Sequence, residues 1–335
     1  MPPLAKPTSS MREIADTDIA ELRLDPADAA EVERLAGALC VGGEDVDTPA
    51  WVSRARHAWD ELPPRLRRRV REFRRHSGPS GSLLIRGLPV GEATLPATPA
   101  VADSVQHEAT VSAAVLMMVA CGLGDPAAYL AEKCGALVQD VVPVPGRESF
   151  SGNAGSALLT FHNENAFHQH EPDYVLLLCL RADHDRIAGL RAACLREVLP
   201  LLSQATLRAL FSPEFITAPP PSFGADGAKR APQPVLFGAP EDPDVRMATI
   251  ATRAVTERAA AALVDFGAAC DDAARTLVLA PGDMAVLDNR VTAHGRTAFR
   301  PRYDGADRWV QRTFVIADLR RSRDHRPLDG YVIAR

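Results

Sequence analysis

The residues best suited to chemistry are His162 and Glu164 in the run Leu-Thr-Phe-His-Asn-Glu-Asn, and His294 far downstream. On a strand, residues i and i+2 share a face, so His162 and Glu164 point the same way and Asn163 points opposite. An imidazole beside a carboxylate is two-thirds of a metal site, and His294, in Val-Thr-Ala-His-Gly-Arg, supplies the remainder. Two histidines and one carboxylate on one face leave three octahedral positions open. That arrangement suits non-heme Fe(II), which must take a cosubstrate and O2 together. The HxE triplet alone is weak, because it is common by chance. The PCxxC of zinc deaminases and the HExxH of zinc proteases are both absent. His168 and His170 imitate a cupin HxH, but no glutamate follows at the right distance. They read as residues behind the ligands or on the surface.

Downstream of His294 the chain reads HGRTAFRPRYDGADRWVQRTFVIADLRRSR. Arg308 lies fourteen residues after His294, and Arg312 four further on, on the same face of the last apolar strand. A guanidinium presents a rigid paired donor fork that matches a carboxylate. Two forks beside a metal site suggest two carboxylate-bearing small molecules. The bland alternative is pairing with Asp304, Asp307 or Asp318.

The stretches LLTFHNENAFHQHEPDYVLLLCLR, PGDMAVLDNRVTAHGRTAFRPRYDGADRWVQR and IADLRRSR resemble the clavaminate synthase-like Fe(II)/2-oxoglutarate oxygenases. Among these, the free amino-acid hydroxylases of peptide antibiotic pathways are most similar, including the arginine β-hydroxylase type. The resemblance implies His162, Glu164 and His294 as iron ligands and Arg308 as the clamp on the distal carboxylate of 2-oxoglutarate. It further implies Arg312 as partner of the substrate α-carboxylate, with Gln139 helping to hold the substrate amino group. The implied cofactor set is Fe(II), 2-oxoglutarate and O2. The implied reaction couples decarboxylation of 2-oxoglutarate to succinate with C–H hydroxylation of a free L-amino acid in secondary metabolism. The implied fold is α+β: a distorted double-stranded β-helix, or jelly roll, with a helical N-terminal layer and an inserted lid.

One departure bears on the substrate. Members acting on arginine carry a pair of acids where Ala248 and Ile250 stand here. A buried cation without a partner is costly, so a neutral aliphatic or cyclic amino acid such as pipecolate or proline is expected, oxidised at Cβ or Cγ. Asp244 could compensate if the register is shifted. Arginine, citrulline or another long polar amino acid is the second reading. A non-catalytic docking protein is the third, built on the helix at residues 65–75 with its seven arginines.

The elements that must position these residues follow from patterning. Asp25-Pro26 caps a helix that carries Val32, Leu35, Ala36 and Leu39 at helical spacing. Further helices are expected over 65–75, 104–121 and 195–211. Strands are expected over 82–85, 136–142, 157–161, 174–180 and 309–316. Pro281-Gly282 predicts a type II turn joining 277–280 to 284–287 as a hairpin. Residues 217–234, rich in Pro, Gly and Ala, predict a mobile loop that acts as a lid.

The 335 residues, 46% of them hydrophobic, suffice for a single oxygenase domain. Residues 1–130 would form the helical layer and 131–335 the jelly roll. The net charge of −5 argues against nucleic acid as a partner. No apolar run is long enough for a membrane span. The N-terminus lacks a signal-peptide core, so a cytoplasmic location is expected. A small-molecule substrate is the expected partner, with room for a homodimer. The six cysteines include no CxxC and read as buried apolar residues.

Overall fold

The computed structural model describes residues 19–223 and 231–334. Helix α1 (Pro26–Leu39) begins as its sequence spells out. The Asp25 carboxylate accepts the Ala27 and Asp28 amides at 3.0 and 2.9 Å, and Val32, Leu35, Ala36 and Leu39 form its buried face. Helix α2 (Pro49–Glu61), absent from the sequence expectation, is capped by the Thr48 hydroxyl and buries Trp51, Val52, Ala55 and Trp59. Helix α3 (Pro64–Arg75) buries Leu66, Val70 and Phe73. Its Arg65, Arg68, Arg71, Arg74 and Arg75 face solvent.

Helix α4 (Val111–Leu123) is buried nearly all round, because it lies between the other helices and a sheet. It starts seven residues later than expected. Residues 104–106 are instead held extended against 138–140, with the Gln106 amide donating to Val138 O at 3.0 Å and the Asp140 amide to Ser104 O at 3.2 Å. The Thr110 hydroxyl then caps the helix, accepting from the Ala113 amide at 3.2 Å.

Two sheets lie face to face. The larger contains β1 (Ala20–Arg23), β2 (Ser82–Arg86), β3 (Asp125–Tyr129), β4 (Gln139–Val141), β6 (Tyr174–Arg181), β13 (Met284–Asp288), β15 (Trp309–Ile316) and β16 (Val332–Ile333). Its order is β1-β2-β13-β6-β15-β3-β16, with β4 also pairing with β15. The smaller sheet contains β5 (Leu159–His162), β7 (Leu190–Cys194), β12 (Arg275–Leu277) and β14 (Thr292–Arg296) in the order β12-β7-β14-β5. Short pairs β8 (Phe215–Thr217) with β11 (Thr252–Ala254), and β9 (Leu236–Phe237) with β10 (Asp244–Val245), lie outside it. The two facing sheets form the jelly roll.

Three apolar clusters match this layering. One joins α1–α4 to the outer face of the large sheet through residues such as Trp51, Leu116, Leu176 and Val315. The second fills the space between the sheets, with Leu177 and Phe314 on one side and Leu190 and Ala192 on the other. The third packs α5 (Leu195–Val198), α6 (Gln204–Leu210) and α7 (Glu257–Ala273) on the small sheet, with Leu210, Phe215 and Phe266 at its centre.

Several boundaries differ from expectation for definable reasons. The turn at Pro281-Gly282 is present, with Gly282 at φ +81° and the Asp283 amide donating to Ala280 O at 2.9 Å. Its flanks do not form a hairpin, because β12 pairs with β7 while β13 pairs with β2 and β6. The turn therefore carries the chain from one sheet to the other. The single helix expected over 195–211 is two, divided by a 3-10 turn containing Pro200, which has no N–H to continue the ladder. Ser203 restarts the helix by accepting the Thr206 amide at 3.0 Å. The strand expected over 136–142 shrinks to β4. The one expected over 157–161 is displaced to Leu159–His162. Helix α7 was not foreseen.

Candidate active site

His162 closes β5 and stands directly opposite His294 of β14 in the antiparallel register. Their ring centroids are 4.5 Å apart. The strand stops at His162, so Glu164 sits in the turn beyond it. The expected alternation nevertheless persists: Glu164 Oε1 lies 3.5 Å from His294 Nε2. Asn163 points away, its amide donating to Asn289 O at 2.7 Å and Thr292 O at 3.1 Å. Asn289 returns the clamp, accepting the Glu164 amide at 2.9 Å and donating to Pro172 O at 2.9 Å. The turn bearing Glu164 is thereby tied to the turn preceding β14. Sequence reasoning passed over Asn289, although its place in the Asp-Asn-Arg turn before Thr292 was a polar signal in an otherwise apolar stretch.

Ligand atoms of His162, Glu164 and His294 all lie within 4.8 Å of one another. His162 Nδ1 contacts Thr160 O at 3.0 Å, which directs Nε2 inward as the free ligand nitrogen. Burial, and then the neighbouring His294, lower the His162 pKa to about 4, so this ring is a neutral donor at ordinary pH. Burial pushes the Glu164 carboxyl upward, but Arg312 and the two imidazoles outweigh it and hold the group well below the usual carboxylate range. A carboxylate and two imidazoles form a donor set that fits a divalent iron.

Arg312 is 2% exposed. It donates to Glu164 Oε1 at 2.8 Å, to Gln139 Oε1 at 2.5 Å and to Glu132. Burial lowers its pKa, while Glu164 and Glu132 raise it by more. The Gln139 amide oxygen thus braces Arg312. Glu132, which carried no sequence signal, lies in the turn after β3 and lines the cavity beside Glu164. Along β15, Val310 and Phe314 join the cluster between the sheets, while Trp309 and Val315 face the helices. Arg308 and Arg312 share the inward parity. Arg308 is 8% exposed and makes no ion pair or hydrogen bond to any described residue. Its expected acidic alternatives are engaged elsewhere. Asp304 meets His184, the Asp307 carboxylate accepts the Arg302 and Tyr303 amides, and Asp318 faces Arg321.

A cavity of about 490 Å³ opens beside His162 and Glu164. Ala248, Ile250, Thr160 and Asn153 contribute to its wall, as do Thr217–Pro220, Ser222 and Phe223 at the start of the expected lid. Residues 224–230 of that loop lie outside the described residues. Ala248 bridges to His162 across the backbone, whereas Ile250 is at the mouth and 70% exposed. Asp244 does not reach this cavity. It lines a separate one with Glu171, Arg246 and Arg290. His168 packs edge-on to Tyr129, and His170 meets His325, so neither joins the three clustered donors.

A jelly roll with two histidines and a carboxylate at one end of the small sheet, and an inward arginine on the facing sheet, defines an Fe(II)/2-oxoglutarate-dependent oxygenase. Residues 231–314 match the model for the taurine catabolism dioxygenase TauD, TfdA family. Over 314 residues the chain is 60% identical to an L-asparagine oxygenase of Streptomyces coelicolor, covering 93% of this chain and 94% of the relative. It is 32% identical to clavaminate synthase 2 of Streptomyces clavuligerus, covering 81% and 85% of the two chains. A crystal structure of asparagine oxygenase in complex with Fe(II), 2S,3S-3-hydroxyasparagine and succinate superimposes with a TM-score of 0.92 at 59% identity, covering 94% of this chain and 99% of that one. The chain belongs to the TauD/TfdA dioxygenases, among the clavaminate synthase-like amino-acid hydroxylases. It is an enzyme whose cofactor set is Fe(II), 2-oxoglutarate and O2, as the sequence implied. Among the described residues no helix is long and apolar enough to cross a membrane.

Proposed function

We propose that this enzyme hydroxylates free L-asparagine at C3. The observation that carries the reading is the 60% identity to an L-asparagine oxygenase across 93% of the chain. It displaces the expectation of pipecolate or proline. The neutral character expected of the side chain is retained, because asparagine carries an uncharged carboxamide.

The cavity supports this choice. Among the described residues the carboxylates of its wall are Glu132 and Glu164, and both are bonded to Arg312. No further carboxylate among the described residues lines the wall to neutralise a guanidinium or ammonium side chain. Asn153 and Thr160 offer neutral polar groups to a carboxamide. A long cationic side chain would lose hydration there without gaining an ion pair.

In this reading His162, Glu164 and His294 hold iron, and Arg308 receives the distal carboxylate of 2-oxoglutarate. Bound iron and 2-oxoglutarate supply the oxidising chemistry. The chain's own residues bind, orient and exclude water. Arg312 turns its fork toward the substrate α-carboxylate, with Gln139 bracing it and Glu132 beside the α-ammonium. The segment Thr217–Phe223 narrows the cavity mouth over the bound amino acid. The test is a panel of free amino acids with Fe(II) and 2-oxoglutarate, read by mass spectrometry for one added oxygen. L-Asparagine should exceed arginine and lysine by at least about a hundredfold in kcat/KM. Preferred turnover of arginine, lysine, proline or pipecolate would overturn the assignment.

A further inference from the structure

Four arginines are buried among the described residues: Arg296, Arg308, Arg312 and Arg326. Two are neutralised in the ordinary way. Arg312 pairs with Glu132 and Glu164, and Arg326 with Asp329 at 2.8 Å. Arg296 and Arg308 have no carboxylate within ion-pair distance among the described residues. Both guanidiniums lie against the same ring, 5.0 and 6.0 Å from the centroid of Phe299.

Arg296 ends β14 two residues beyond His294, so it projects from the same inward face. It is 4% exposed, and its Nη2 donates to Ala157 O at 2.9 Å. Its Nε is buried with no partner. A buried charged donor left unsatisfied is costly unless something else binds it. Two such cations thus share one ring close to His294, with no anion beside them among the described residues. Asp183, which acts on Arg308 electrostatically without an ion pair, already accepts the Ile187 and Ala188 amides.

We infer that Arg296 is a second cationic binding residue for the cosubstrate, sharing the distal carboxylate of 2-oxoglutarate with Arg308. The inference rests on the reading that Arg308 takes that carboxylate. One guanidinium fork cannot fill every acceptor site of a carboxylate, so a second adds charge-assisted donors to it, and the pair selects against 2-oxo acids whose far end is apolar. Arg296 thereby ties cosubstrate recognition to the strand that carries His294.

The test is calorimetric titration of the Fe(II)-loaded enzyme without O2, using 2-oxoglutarate and 2-oxopentanoate, which lacks the distal carboxylate. Arg296→Met keeps an apolar stem of similar reach. It should weaken 2-oxoglutarate by about tenfold or more, the loss of one charge-assisted contact, and leave 2-oxopentanoate within about twofold. Arg296→Lys keeps the charge and should fall between Met and wild type, and it serves if the Met variant does not fold. Unchanged 2-oxoglutarate affinity, or equal losses for both acids, would overturn the role of Arg296. Arg308→Met separates the two levels. If it leaves 2-oxoglutarate binding intact, the reading of Arg308 fails. If it weakens binding while the Arg296 variants do not, only the present inference fails.

Discussion

Gly295 lies between His294 and Arg296, and its conservative replacement by alanine probes how the cluster of His162, Glu164 and His294 is held together. A Cβ at this position would stand 2.3 Å from Leu159 O and 3.3 Å from the carbonyl carbon of Thr160. Both atoms belong to the backbone of β5, the strand that ends in His162. Ordinary Cβ contact begins near 3.4 Å, so β5 and β14 must part locally by about 1 Å. The register between them is already irregular between His294 and Arg296, which is where the added methyl would act. Overpacking of this kind costs roughly 1–3 kcal/mol. Metal–ligand distances tolerate only about 0.2 Å, so His294 would leave the reach of an ion held by His162 and Glu164. Gly295→Ala should therefore fold with a lowered melting temperature and bind Fe(II) at least about tenfold more weakly, a change of about 1.4 kcal/mol. Gly267→Ala is the matched control, since its Cβ would meet nothing within 4 Å in α7. It should gain roughly 0.5–1 kcal/mol of stability with metal binding unchanged. Calorimetric melting and anaerobic Fe(II) titration of both variants decide the matter. Wild-type iron affinity in Gly295→Ala would refute the claim that the close approach of these strands sets the site.

Two further outcomes are expected. Burial raises the Glu171 carboxyl from its ordinary 4.5 to about 7, with Arg246 opposing in part. Between those values the folded chain keeps a proton that the unfolded chain releases. The contribution of Glu171 to stability is thus fully present below about pH 4.5 and is lost as pH rises through about 7, by at most about 3 kcal/mol; urea unfolding of Glu171→Gln should lack this slope, and an unaltered slope would assign it to other groups. Ile250→Asp places a carboxylate on the outer, solvent-exposed part of the wall, so kcat/KM for arginine should change by less than about fivefold, and a larger gain would show that position 250 faces the bound side chain.

The clustering of His162, Glu164 and His294 was legible because its signal is local in sequence or carried by a long motif. His162 and Glu164 are two residues apart, and the run from His294 through Arg312 brings its own resemblance. The caps of α1 and the buried stripe of α3 were equally local. What escaped was set by contacts between distant segments. Whether the turn at Gly282 closes a hairpin depends on which sheet each flank finds, and nothing near Pro281 encodes that. The start of α4 was misplaced because residues 104–106 are claimed by 138–140, an interaction over some thirty residues. Glu132 enters the site through its turn and its bond to Arg312, neither of which a sequence pattern marks. Helices α2 and α7 do carry local signals, since Thr48 and Thr256 cap them by hydroxyls accepting the Trp51 and Ala259 amides. The substrate was the least legible feature. The absence of an acid at 248 argues against a cation more readily than it selects among neutral side chains.

The most direct test follows succinate and 3-hydroxyasparagine in the same reaction vessel, with Fe(II), 2-oxoglutarate and L-asparagine supplied to wild-type enzyme and to His294→Ala. The expected result is one succinate per hydroxylated asparagine in the wild type, and neither product from the variant. Hydroxylation that persists in His294→Ala, or that proceeds in the wild type without succinate, would contradict a site in which His162, Glu164 and His294 hold the iron that couples the two substrates.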